Sequence, residues 1–351
     1  MKPSYRTIFV FAAFCLLFVG GIACAFIDQL NAEIQVVQEK QGQEKQLPLK
    51  SDSTTEVPVS PLITAQELKT LVEADDETLR ILEPARNNKD YLAGHIPKAQ
   101  FIHWLTDMTD PKSREQYNNL KADQFGKLMK KLGVSNESRI VIYDRLSSRL
   151  STRLFWTLKY YGHESVQILD GGHKAWSSKF KLSSDAVNFE EANYLLGKPR
   201  TEILAEMEFV EEQLDNANTK FVDGRPPKQF KGEVAGRVFH TNKLHPRKGH
   251  IPKAINVFWK DNFREDGTFK SPDELRALYQ HAGIKPDQHV VTYCNEGLHA
   301  APPWFVLTQM LHHKNVKLYD SSLAEWAHSK NPMDVKLDET SSEKKPDSSK
   351  N

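Results

Sequence analysis

Hydrophobic and polar positions divide the chain into four stretches of different character. Lys2 and Arg6 precede an uncharged apolar run from Ile8 to Ile27. Residues 28–60 are rich in Gln, Glu, Lys, Ser and Thr and read as a polar tether, its first part (Leu30, Ile34, Val37) spaced as a helix. Residues 61–335 alternate short β-branched apolar runs with longer amphipathic ones, and the tail 336–351 has a disordered composition. Short apolar runs between polar turns predict buried strands, and amphipathic runs predict helices. In the last third this places a helix at Glu206–Leu214 and strands at Lys220–Asp223 and Ala254–Phe258. Ser271-Pro272-Asp273-Glu274 caps a helix that runs through His281. A strand at His289–Tyr293, a helix carrying Pro302 and Pro303 in its first turn, and a strand at Val316–Tyr319 follow. Such alternation implies an α/β fold, a mainly parallel sheet with helices on both faces.

The pattern occurs twice. Gly94-His95-Ile96-Pro97-Lys98-Ala99 recurs at Gly249-His250-Ile251-Pro252-Lys253-Ala254, 155 residues on (249 − 94). The strand Arg139–Tyr143 matches His289–Tyr293, 150 residues on (289 − 139), and Trp176 matches Trp326 at the same spacing. The amphipathic run Arg153–Gly162 matches Trp304–His313, and Ser165–Asp170 matches Asn315–Asp320. Two copies of one domain account for this, over residues 61–181 and 201–335, each with its own core and with 182–200 as linker.

Composition narrows the function. The chain has 351 residues, 39% hydrophobic and 26% charged, with a net charge of +1, which gives no reason to expect a nucleic-acid partner. Neither a GxxxxGK[ST] phosphate loop nor a GxGxxG fingerprint occurs. The segment 1–27 reads as a signal peptide with a small-x-small site at Ala23-Cys24-Ala25, or as an uncleaved membrane anchor. A lipoprotein signal with Cys24 lipidated ranks lowest, because Gly21 stands where a Leu-like residue is usual. The first two readings both place the domains outside the cytoplasm, in a bacterial periplasm.

Of three cysteines, Cys15 and Cys24 lie in that segment, so Cys294 is the single thiol of the repeats, and no CxxC pair suggests zinc. Cys294 sits between a strand end and a helix start, with Gly297 in the intervening loop. Free N–H groups there favour a negative charge and can draw a thiol from about 8.5 down to roughly 3.5–7.5. His240, His245 and His250 lack acidic or cysteine partners at ligand spacing and predict no metal.

These motifs together resemble the tandem-domain sulfurtransferases of the rhodanese family. The resemblance spans roughly Pro61 to Val335. It rests on the duplicated Gly-His-Ile-Pro-x-Ala, the strand end Asp223-Gly224-Arg225, the Cys-x-x-Gly loop, and Leu169-Asp170-Gly171-Gly172 with Trp176. It implies an inert first domain, and Asp144 stands where the second copy has Cys294; its expected role is structural, at the interface with the active loop. It also implies a two-step transfer in which Cys294 takes the outer sulfur of a donor as a persulfide and a thiol or cyanide removes it. Asn295, Glu296, Gly297, Leu298, His299 and Ala300 would cradle the sulfur through their N–H groups, and Arg225 would bind an anionic substrate. The resemblance implies no cofactor. His95 and His250 are expected to pack.

The loop departs from the family's donor signatures. Thiosulfate members carry basic residues after the cysteine and mercaptopyruvate members follow a Cys-Gly-Ser/Thr-Gly pattern, whereas this chain has Asn295 and Glu296. Lys228 and Gln229 stand where mercaptopyruvate members have a second arginine. Glu296 would repel a dianionic donor unless turned away or neutralised, and a protonated His299 would offset it below about pH 6.5. Thiosulfate or another inorganic sulfane donor is favoured over 3-mercaptopyruvate. A phosphatase of the same fold needs Cys-x5-Arg, and that position is Ala300. A non-catalytic sulfur-carrier or binding module, with a protein as acceptor, is the alternative from another class.

Overall fold

The computed structural model describes residues 60–113 and 118–335. The N-terminal segment, the tether and the C-terminal tail, with the expectations attached to them, lie outside the described residues.

Runs such as Ile140-Val141-Ile142 favour extended backbone because branched side chains pack well on a pleated surface. They form β1 (Leu62–Ile63), β2 (Leu79–Ala85), β3 (Ala99–His103), β4 (Arg139–Ile142) and β5 (Val166–Leu169). The first-domain helices are α1 (Ala65–Glu73), α2 (Lys89–Ala93), α3 (Ala122–Lys131), α4 (Arg149–Tyr160) and α5 (Gly172–Ser177). The second domain repeats the strands as β6 (Leu204–Ala205), β7 (Thr219–Asp223), β8 (Ile255–Asn256), β9 (His289–Tyr293) and β10 (Val316–Tyr319). Its helices are α6 (Met207–Gln213), α7 (Pro227–Phe230), α8 (Pro272–His281), α9 (Ala301–Phe305) and α10 (Ser322–Trp326). The two sheets are wholly parallel and share one order, β1-β5-β4-β2-β3 and β6-β10-β9-β7-β8.

Successive strand residues feed opposite faces. Val141 and Tyr143 join α1 and α5 residues Leu68 and Trp176, while Ile140 and Ile142 face Phe125 of α3 and Leu154 of α4. Each sheet is thus covered on both sides. Ser271 caps α8 as its sequence predicts, its hydroxyl accepting from Glu274 N while the Glu274 carboxylate accepts from Ser271 N.

Three expectations change. The strand placed at Ala254–Phe258 is only Ile255–Asn256, because the chain then turns into a short 3-10 helix at Trp259–Asn262. The run Trp304–His313 starts as α9 and widens to a π-helical turn at Val306–Met310, with Leu311 N donating to Val306 O at 2.9 Å. The two domains do not have separate cores on their facing sides. One apolar cluster runs from Leu82 and Phe155 of the first domain to Val290 and Phe305 of the second.

The interface has a local two-fold relation, since residues 150 apart meet. The Phe155 and Phe305 rings stand 4.9 Å apart. Asp170 accepts Phe269 N across the interface at 2.9 Å, and its counterpart Asp320 accepts Asn119 N at 2.8 Å. Arg153 adds a buried ion pair to Asp320 at 2.5 Å. The segment 182–200 carries no helix or strand and is strapped to the first domain, with Tyr194 buried against Phe125.

Candidate active site

Cys294 follows the last residue of β9, at the C-terminal edge of a parallel sheet, where crevices of such folds form. It is a free thiol, 1% exposed. His299 N donates to Sγ at 3.2 Å, and the N–H groups of Glu296 and Ala300 also act on the sulfur. Gly297 allows the loop to close: its φ is +78°, and a Cβ there would stand 2.6 Å from Asp320 O and 3.1 Å from Arg153 Nη1.

The loop is held by Ser322, a residue that no motif in the sequence marks. Ser322 Oγ accepts from Cys294 N at 3.0 Å and Gly297 N at 3.2 Å, and donates to Tyr319 O at 2.7 Å. The change from Asp170-Gly171-Gly172 to Asp320-Ser321-Ser322 therefore adds an acceptor beneath the loop. In the first domain Gly172 lies so near Asp144 O that a Cβ there would stand 2.4 Å from it.

The first domain shows what such a loop holds. Asp144 Oδ1 accepts from the N–H groups of Leu146 and Ser148 at 2.6 and 3.0 Å. Oδ2 accepts from Leu150 N and Ser151 N, both at 2.8 Å, and from Ser151 Oγ at 3.1 Å. Asp144 is thus a carboxylate turned into its own loop, a correction to its expected place at the interface. The role against the active loop falls to Arg149 and Arg153, which the 150-residue offset from His299 could have flagged for the first.

Electrostatics corrects two further expectations. Burial pushes the Cys294 thiol up to about 11. The N–H groups of Glu296, His299 and Ala300 pull it down, and the Glu296 carboxylate adds to the rise. The thiolate-favouring shift expected from the helix start is outweighed by desolvation in the closed site. His299 cannot supply compensating charge: burial, then Arg149 and Lys260, lower it to about 3. Its Nε2 lies 3.1 Å from Arg149 Nη1, so this nitrogen accepts and the ring is neutral, stacked on Trp259 at 5.2 Å.

Glu296 is turned away from the sulfur. Its carboxylate accepts Phe239 N at 3.0 and 3.1 Å and lies 3.6 Å from His240 Nδ1. Burial raises its pKa, while His240, the Phe239 N–H and Arg153 oppose the rise. Leu298 sends its side chain into an apolar cluster with Trp104 and Leu150 of the first domain. Ala300 is buried beside α9, and Asn295 Nδ2 donates to Gln229 Oε1 at 3.0 Å.

Arg225 is buried and engaged from within. Its Nε donates to both Asp223 oxygens at 3.0 Å, and Nη2 donates to Asp223 Oδ2 at 2.5 Å and Gly249 O at 2.7 Å. Burial works against its charge, but Asp223 outweighs it and holds the guanidinium charged. In the first domain Arg145 does the same with Glu83 and Gly94 O. One end of Arg225 is therefore structural, and only Nη1 faces the space near Gly236 and Asn295. Among the described residues no group of His, Cys, Asp and Glu is placed to hold a metal ion.

A parallel-sheet domain with a lone thiol in an amide-lined loop, duplicated with an aspartate in the first copy, defines a sulfur-handling α/β class. The rhodanese-like domain family matches residues 64–179 and 206–329, and the chain belongs to it as a rhodanese-family sulfurtransferase. It is 36% identical over 257 residues to a Mycolicibacterium smegmatis protein named "Putative thiosulfate sulfurtransferase", covering 73% of this chain and 87% of that one. A "Sulfur carrier protein TtuD" of Thermus thermophilus is 34% identical over 258 residues, 72% of this chain and 90% of that one. Among solved structures, wild-type EanB superposes with a TM-score of 0.71 at 23% identity, over 79% of this chain and 70% of that one, a likeness of fold.

Proposed function

We propose that the protein moves a sulfane sulfur from thiosulfate or a related inorganic donor, through a persulfide on Cys294, to a thiol or cyanide acceptor. The observation that carries this reading is the pair of loops. The same backbone curl holds a carboxylate in the first domain and a thiol in the second. A ring of converging N–H groups favours an anion, and both a thiolate and a persulfide are anions. As the donor's outer sulfur bonds to Sγ, its bond to the leaving group breaks and that group departs as sulfite, so no external redox partner is needed. Glu296, occupied with Phe239 N and His240, is turned aside from an incoming anion. The apolar N-terminal run supports a location outside the cytoplasm, with the segment as signal or anchor.

Turnover of the chain with thiosulfate and with 3-mercaptopyruvate, cyanide as acceptor, tests the reading. Thiosulfate should be the better donor, and Cys294→Ser should abolish both activities. Full activity in Cys294→Ser, or turnover of neither donor by the wild type, would overturn it.

A further inference from the structure

The active loop carries a carboxylate, Glu296, but no lysine or arginine, and its His299 is a neutral ring. Cations stand just outside it, held on aromatic rings. His299 N donates to Cys294 Sγ at 3.2 Å and His299 Nε2 meets Arg149 Nη1 at 3.1 Å, which places this first-domain guanidinium one side chain from the sulfur. The His299 ring stacks on Trp259, and the centre of that indole lies 5.6 Å from the Arg149 guanidinium and 5.7 Å from Lys260 Nζ. Phe239 belongs to the apolar cluster around Leu298 of the loop. Its ring centre lies 5.4 Å from the Arg149 guanidinium and 4.0 Å from that of Arg86, so the two guanidiniums are within 9.4 Å of each other (4.0 + 5.4).

Arg86 and Lys260 are exposed, and among the described residues neither forms an ion pair. Burial alone lowers Arg86 from the usual arginine range, with no carboxylate acting on it. The carboxylates nearest in the chain are engaged elsewhere. Glu83, on the strand that leads to Arg86, pairs with Arg145. Asp261, which follows Lys260, answers to Lys270, and Glu296 is turned to Phe239 N and His240. The positive field reaches the loop, because Arg149 and Lys260 both push His299 down. A guanidinium lying on a ring face keeps its in-plane N–H groups for an oxyanion.

We propose that Arg86 and Lys260, with Arg149 linking them, draw the anionic sulfur donor to Cys294; this rests on the persulfide reading above and names the source of the donor's counter-charge. The first domain has no cysteine of its own, yet it supplies two of the three cations. Positive charge around a site raises the local concentration of an anion and its rate of encounter, by about 10- to 10³-fold for a whole field, and salt screens the effect. Thiosulfate, a dianion, feels it twice as strongly as a monoanion at the same place.

Alkylation of Cys294 in the full chain by iodoacetate and by iodoacetamide, read by peptide mapping, tests this. The two reagents are alike in size and attack the same thiolate, and only iodoacetate is charged. The ratio of their rates therefore cancels the thiolate fraction and any partly folded population. In the wild type the ratio should exceed that of 2-mercaptoethanol, a neutral thiol, and fall toward it as salt rises from about 0.02 to 0.5 M. Arg86→Gln and Lys260→Gln should each lower it about threefold and the double variant about tenfold, while Arg86→Lys should restore most of it. Loading with thiosulfate, counted by intact mass, should slow in the double variant by at least the same factor. A ratio unchanged in the double variant, or insensitive to salt, would overturn the proposal. A wild type that shows the raised ratio but takes up no sulfur would instead overturn the persulfide reading.

Discussion

Replacing Asp144 should destabilise the protein more than any surface change in the first domain. Its carboxylate is buried and accepts five hydrogen bonds, four from backbone N–H groups and one from the Ser151 hydroxyl. Bonds to a charged acceptor contribute about 1.5–3 kcal/mol each, and an orphaned buried donor costs about 1–3 kcal/mol. The five act on one loop and are not additive, so Asp144→Ala is expected to lose about 4–6 kcal/mol. Asp144→Asn keeps one acceptor oxygen and should lose about half of that. Against a usual total of roughly 5–15 kcal/mol, the alanine variant would be near its unfolding threshold. Equilibrium urea unfolding measures this, the midpoint falling while the slope holds. A loss under about 1 kcal/mol in Asp144→Ala would show that the cradle does not depend on its anion and would undo the analogy with Cys294.

Four other outcomes follow from the geometry. Ser322→Ala orphans Cys294 N and Gly297 N, and sulfur loading, followed by mass over time, should slow about tenfold or more, for about 2 kcal/mol of lost loop order; an unchanged rate would contradict this. Because one apolar cluster crosses the interface, tryptophan fluorescence and far-ultraviolet circular dichroism should report one coincident unfolding transition, and two separated transitions would count against a shared core. With the thiol raised to about 11, iodoacetamide labelling of Cys294 should climb about tenfold per pH unit through the neutral range, whereas a plateau near pH 7 would mean a thiol lowered in solution. His299, lowered to about 3, should show no ring titration by NMR between pH 5 and 8.

Much of the fold is legible in the chain because strand and helix signals are local. Val290 and Val291 announce β9, Ser271 and Glu274 announce α8, and the 150-residue repeat announces the second sheet. The proposed sulfur carrier, Cys294, is legible for the same reason, as a cysteine between a strand end and a helix start. What was not legible is set by distance in sequence. Ser322 lies 28 residues from Cys294 and carries its N–H. Burial, with Arg149 of the other domain beside it, turns His299 from an expected cation into a neutral ring. The rise of the Cys294 thiol comes from its burial in the folded protein, with the Glu296 carboxylate adding to it, and neither follows from helix-start chemistry. The Asp223-Gly224-Arg225 motif suggests a substrate contact at Arg225, yet Asp223 and Gly249 O take most of its donors. A motif marks a position, while the partners decide its task.

The proposed transfer passes through Cys294. Intact-mass measurement after brief exposure to thiosulfate, with peptide mapping to separate Cys294 from Cys15 and Cys24, tests it most directly. One added sulfur is expected on the Cys294 peptide of the wild type and none anywhere on Cys294→Ser. A wild type without added sulfur, or sulfur that persists in Cys294→Ser, would contradict it.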